Sequence, residues 1–161
     1  MNKNGLILVF LTAIISGFSI FINKYSVSVI NPYIFTFLKN VLVALALTSS
    51  ILLIKDWGQL KNLTKKQWSL LLLIGLIGGS IPFLLFFKGL SLTSAAQGSF
   101  IHKTMFVYVM VLAVIFLKEK ISRGFLIGAL LLLFGSIVSL KSLSVSFGQG
   151  DILILSATFL W

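Results

Sequence analysis

Six side chains carry the chemistry this sequence offers inside its long apolar runs: Lys39, Gln97, His102, Lys103, Thr104 and Tyr108. An ionisable group within hydrocarbon costs about 2.5 to 3.5 kcal/mol on insertion scales, so it faces a bundle interior, water or a polar partner. Lys39 falls in the outer half of its run. If that helix began only after Asn40, residues 41–54 would reach about 21 Å, too short to cross without thinning the bilayer. Two roles fit Lys39: facing a solute, or snorkelling to the outer headgroups and capping carbonyls. His102 and Lys103 lie about 18 Å along a run that starts at residue 90, near the midplane, where snorkelling is difficult. Successive helical residues point about 100° apart, so one of the pair can face a narrow cavity and the other needs a partner on a neighbouring helix. Gln97, Thr104 and Tyr108 follow at spacings of seven and four, a polar stripe along one helix face. With Lys103 this stripe is read as the lining of a pathway, the alternative being hydrogen-bonded glue between helices.

The carboxylates inform by position. Asp56, Glu119 and Asp151 fall in loops or at the edge of a run, which leaves no acid at depth to hold a proton or a cationic drug. Lysine and histidine without a buried acid suit an anionic or zwitterionic small molecule. One histidine, no buried acid and no cysteine provide neither an acid/base pair nor a metal-ligand cluster, so no catalytic residue, metal or cofactor is assigned.

Positioning such groups requires membrane helices. The chain is 58% hydrophobic and 10% charged, against about 25% charged in ordinary globular chains. Its net charge of +10 is spread between apolar runs and forms no basic stripe, which points away from nucleic acid and towards a lipid bilayer. The runs predict an all-α, polytopic transmembrane helix bundle with spans at 5–22, 32–54, 68–87, 90–117 and 121–140, and an incomplete sixth at 152–161. Asn23, Lys24 and the Asn31-Pro32 turn are expected to end the first. Alternate loops differ sharply in charge: one side holds Lys3, Lys55, Lys61, Lys65, Lys66, Lys118, Lys120 and Arg123, the other Lys24, Lys88 and Lys141. By the positive-inside rule this is an integral protein of the cell (inner) membrane with a cytoplasmic N-terminus. A signal peptide at 5–22 is the weaker reading, because the run is long and no small-residue cleavage site follows.

Small residues read as helix-packing faces: Gly75, Gly78 and Gly79 in the third span, and Gly124, Gly128 and Gly135 in the fifth. Pro82 adds a kink or hinge to the third.

Five crossings put the two ends of the unit on opposite sides, so a tandem copy would insert upside down as an inverted repeat. The segment from Gly150 weakly echoes the one from Gly5. Ten residues of helix reach about 15 Å, half the hydrocarbon thickness, so 152–161 is expected to open a sixth span and the chain to be part of a longer protein. A short interfacial helix anchored by Trp161 is the alternative, but the segment lacks the basic face such helices show.

The run Thr93-Ser94-Ala95-Ala96-Gln97-Gly98-Ser99-Phe100, His102-Lys103-Thr104, Phe116-Leu117-Lys118-Glu119-Lys120, Gly128-Ala129 and Gly135, with Asn23-Lys24, Asn31-Pro32 and Lys39 before it, resembles the EamA domain of the drug/metabolite transporter superfamily. The resemblance implies one five-helix repeat over 1–141, then a loop and the start of a second repeat over 142–161. It implies a permease that moves small metabolites by alternating access, completed by a second EamA repeat or a homodimer partner. The sequence departs from that pattern with Lys39, where relatives often have Arg, and with His102-Lys103-Thr104, where many place a proline. The rivals are a non-transporting membrane scaffold or subunit and a half-size homodimeric transporter; the charge bias argues against dual insertion for the latter.

Overall fold

A helix satisfies its own backbone hydrogen bonds, which is what a chain surrounded by hydrocarbon requires. The computed structural model describes residues 3–54, 58, 62–141 and 147–161. Among these the regular elements are all helical: α1 (Lys3–Val29), α2 (Pro32–Ile54), α3 (Lys65–Ile74), a π-helical segment (Gly75–Ser80), α4 (Ile81–Leu92), α5 (Ala95–Lys103), α6 (Met105–Leu117), α7 (Arg123–Lys141) and α8 (Gln149–Leu160). Four stretches of the described residues are long and apolar enough to cross a membrane: Gly5–Val29, Pro32–Ile54, Lys65–Leu92 and Ala95–Leu117. Arg123–Val138 and Gln149–Leu160 are shorter apolar helices where the fifth and sixth runs were expected. Lys55, Asp56, Lys61 and the connection 142–146 lie outside the described residues.

The helix boundaries correct the sequence reading in three places. α1 does not end at Asn23-Lys24 but continues to Val29. Both polar side chains stay helical because neighbours satisfy them: Asn23 Nδ2 donates to Ser19 Oγ (3.2 Å), and Lys24 Nζ donates to the carbonyls of Leu90 (2.9 Å) and Ser91 (3.2 Å). The stop comes at Asn31-Pro32, where proline disfavours a helical residue before it and starts the next helix, and Asn31 Oδ1 accepts from the Tyr33 N–H (3.0 Å).

The third span is longer than expected at both ends. It opens on a capping box in which Thr64 Oγ1 accepts from the Gln67 N–H (3.3 Å) and Gln67 Oε1 accepts from the Thr64 N–H (2.8 Å). It runs to Leu92, and extended Thr93 (φ −129°, ψ 175°) then turns the chain. Ser94 caps α5 by accepting from the Gln97 N–H (3.1 Å), so the fourth span starts at Ala95 and not at residue 90. His102 and Lys103 therefore lie about 10–12 Å along it, in its first half, and not about 18 Å.

Within the third span the winding loosens just ahead of Pro82. The Ile81 N–H bonds the Leu76 carbonyl five residues back. Proline has no N–H to give and its ring crowds the preceding turn, and a π-turn relieves that crowding.

Most large apolar side chains stay exposed on the outer helix faces, as expected where lipid replaces water. The buried cluster is small: Val27, Phe86, Phe87, Leu90, Ile101, Ile154 and Ala157. α4 lies at its centre, flanked by α1, α2, α5 and α8.

Candidate functional site

The fourth span tightens at Thr104, which keeps a right-handed helical backbone (φ −65°, ψ −12°). Its N–H bonds the Ile101 carbonyl (3.0 Å), and the Val107 N–H bonds the Thr104 carbonyl (2.9 Å), both three residues back. Thr104 Oγ1 also donates to the Ile101 carbonyl (2.6 Å). A side chain that bonds back to the preceding turn competes with the regular ladder, so α5 closes at Lys103 and α6 restarts at Met105.

His102 and Lys103 leave this turn in different directions. The His102 ring packs 5.2 Å from Phe86 and 5.0 Å, edge to face, from Trp161 at the end of α8. Its Nδ1 is buried without a hydrogen-bond partner among the described residues. Phe86 and Phe87 (5.5 Å) and then Phe35 (5.1 Å from Phe87) extend an aromatic row across α4 to α2.

Lys39 closes the far end of that row. Its Nζ sits 4.7 Å from the Phe87 ring centre and 5.9 Å from that of Phe35, and donates to Asn23 Oδ1 (3.2 Å). A cation over ring faces is held by their quadrupoles. Lys39 therefore sits between α1, α2 and α4, with Asn23 passing the chain of hydrogen bonds on to Ser19.

Lys103 is exposed and lines a groove of about 290 Å³ between α5 and α7, with Ser99 and Phe100 on one wall and Leu132, Gly135 and Ser136 on the other. Of the remaining stripe, Gln97 is buried in the first turn of α5, and the Thr104 hydroxyl is taken by Ile101. Tyr108 lies edge to face with Phe159 of α8 (6.1 Å) beside a second groove. The structure thus brings Lys39 and His102 to one aromatic row and sets Lys103 apart from both.

Several contributors had no local signature. Lys24 covers the last carbonyls of α4, where a cation complements the helix dipole. Asp151, expected at a span's edge, is 1% exposed in the first turn of α8, where it accepts from Thr93 Oγ1 (3.0 Å) and the Gly148 N–H (2.7 Å). Among the described residues nothing lies within 4 Å of a Cβ built on Gly75, Gly78, Gly79, Gly124, Gly128 or Gly135. The close approaches fall at Gly89, Gly98 and Gly150. A glycine in an apolar run is the only signal that could have singled these out, and Gly5, Gly17, Gly75, Gly78, Gly79, Gly124, Gly128 and Gly135 carry the same signal without a close approach.

Residues 3–141 match the profile of the EamA-like transporter family. No curated protein and no solved structure matches the chain.

Proposed function

The chain belongs to the EamA-like transporter family, and from that premise we propose that it carries small metabolites across the cell membrane by alternating access. In this reading α1 to α7 form a five-span repeat. α7, with 19 residues, reaches about 28 Å and serves as the fifth crossing. α8 opens a second repeat of inverted orientation, and the N-terminus lies in the cytoplasm because the lysine-rich loops collect on that side.

The observation that carries the reading is the tightened turn between α5 and α6 at Thr104 beside His102 and Lys103. Irregular turns in membrane helices with ionisable residues beside them are common at the solute sites of secondary transporters. A scaffold subunit has no need for an irregular turn beside two ionisable groups within a span.

Exchange of radiolabelled amino acids, carboxylates and nucleosides by the purified chain in phosphatidylcholine vesicles tests the proposal. Exchange above protein-free vesicles, slowed when Thr104→Ala removes the back-bond, is the expected result. Exchange equal to protein-free vesicles for every solute, with folded protein recovered from the vesicles, overturns it.

A further inference from the structure

We infer that the groove between α5 and α7 around Lys103 binds an anion, a small carboxylate or phosphate with a compact apolar body, held by the Lys103 ammonium and the Ser99 hydroxyl. The inference rests on the transport reading in taking this anion as the charged end of the solute.

The argument begins with what the other membrane-depth cations do. Lys24 donates to the carbonyls of Leu90 and Ser91, Lys39 is shared by Asn23 and the Phe87 ring, and Lys88 stands 6.0 Å from the Tyr33 ring centre. Lys103 has no acceptor, ion pair or ring among the described residues. A lysine at that depth is costly to keep charged without a counter-charge or water. The described acids do not supply one: Asp151 is engaged by Thr93 and Gly148, and Glu119 lines a separate groove at the α6–α7 turn.

The groove itself selects for negative charge. Ser99 lies one turn before Lys103 on the same helix face, and its hydroxyl has no partner among the described residues. Most membrane hydroxyls here are tied to their own backbone, as Thr12 is to Leu8 (2.8 Å) and Thr36 to Pro32 (2.7 Å). Ser136 across the groove is also tied, donating to the Leu132 carbonyl (2.8 Å). Lys103 and Ser99 therefore present two free donors to one space, facing no acid. Phe100 and Leu132 supply apolar walls, and Gly135 keeps the space open, since a Cβ there would meet nothing within 4 Å. A volume of about 290 Å³ sits at the small end of ligand sites, which suits a solute the size of benzoate. An anionic lipid headgroup offers the same charge, so the test separates the two sources.

Calorimetric titration of the full chain in phosphatidylcholine nanodiscs compares benzoate and inorganic phosphate with benzylamine, which keeps the shape of benzoate and reverses its charge. Benzoate is expected to bind and benzylamine not to. Lys103→Gln should weaken benzoate at least tenfold, Ser99→Ala several-fold, and Lys103→Arg should retain it. Benzylamine binding as well as benzoate, or unchanged benzoate affinity in Lys103→Gln, overturns the inference. If phosphatidylglycerol added to the nanodiscs abolishes benzoate binding in the wild type, the occupant is a lipid headgroup and the solute assignment falls. In vesicles, exchange of cationic solutes that ignores Lys103→Gln overturns this inference and leaves transport standing. Benzoate binding without exchange of any solute does the reverse.

Discussion

Gly89 of α4 and Gly150 of α8 meet backbone to backbone: a Cβ built on Gly89 would lie 2.6 Å from the Gly150 carbonyl oxygen, and one built on Gly150 would lie 2.8 Å from that of Gly89. This contact seats α8 on the first unit. It lets Ile154, fully buried, fill the space over Leu90 and Gly98, and it carries Trp161 to Phe86 and His102. The aromatic row of the candidate site therefore depends on two absent side chains at the other end of the helix.

Gly89→Ala should destabilise the protein although alanine is the better helix former. Propensity favours alanine by about 1 kcal/mol, but the nearest obstacle is a backbone oxygen that cannot retreat without moving α8, and overpacking of that kind costs about 1–3 kcal/mol. Gly17→Ala, whose Cβ meets nothing within 4 Å, is the reference. The thermal midpoint in detergent should drop for Gly89→Ala below that of Gly17→Ala; an equal or higher midpoint contradicts the contact.

Much of this architecture was legible in the sequence, and what was not has a common cause. The Asn31-Pro32 stop and the apolar runs are local facts, set by a missing N–H and by hydropathy, and the structure keeps the stop. It turns the first four runs into helices long enough to cross a membrane and the last two into shorter apolar helices, among the described residues. The continuation of α1 past Lys24 depends on carbonyls of Leu90 and Ser91, more than sixty positions away. Local pattern cannot show which acceptor a lysine will find. His102-Lys103-Thr104 reads as polar within a span, but the tightened turn at Thr104 depends on a back-bond that the residue type permits without requiring. The close-approach glycines were not legible for a rotational reason. The spacing of Gly124 and Gly128 marks a face, but only tertiary packing decides which face meets a neighbour, and Gly89 with Gly150 has no shared local motif.

Lys39 and Asn23 should prove energetically coupled. Their hydrogen bond (3.2 Å) joins α2 to α1 beneath the Phe87 ring. Lys39→Met and Asn23→Ala each remove one partner, and the double variant should lose less than the sum of the two. A coupling on the order of 1 kcal/mol is expected from comparable membrane hydrogen bonds. Denaturation of the four proteins in mixed micelles measures it, and strict additivity would mean that the bond contributes nothing.

Orientation can be read by thiol labelling, because the sequence contains no cysteine of its own. Ser28, exposed near the end of α1, and Lys66, exposed in the first turn of α3, are separated by one full crossing of α2. With the N-terminus cytoplasmic, a membrane-impermeant maleimide should label Ser28→Cys in intact cells and Lys66→Cys only after permeabilisation. The opposite pattern would invert the topology and defeat the charge argument.

Lys118 holds a left-handed backbone (φ 54°) at the end of α6, and the Glu119 N–H reaches back to the Ala113 carbonyl (3.3 Å). That is the geometry in which helices most often place glycine, because a Cβ crowds the carbonyl oxygen at a cost of about 1–2 kcal/mol. Glycine returns part of the gain through the larger entropy of its unfolded chain, roughly 0.5–1 kcal/mol. Lys118→Gly should therefore stabilise by up to about 1 kcal/mol, whereas Lys118→Val, β-branched and ill suited to positive φ, should destabilise. The two thermal midpoints should fall on opposite sides of the wild type. Orientation should not change, since Lys120 and Arg123 keep that loop basic. A lower midpoint for Lys118→Gly would show that the lysine side chain contributes more at this turn than its backbone strain takes away.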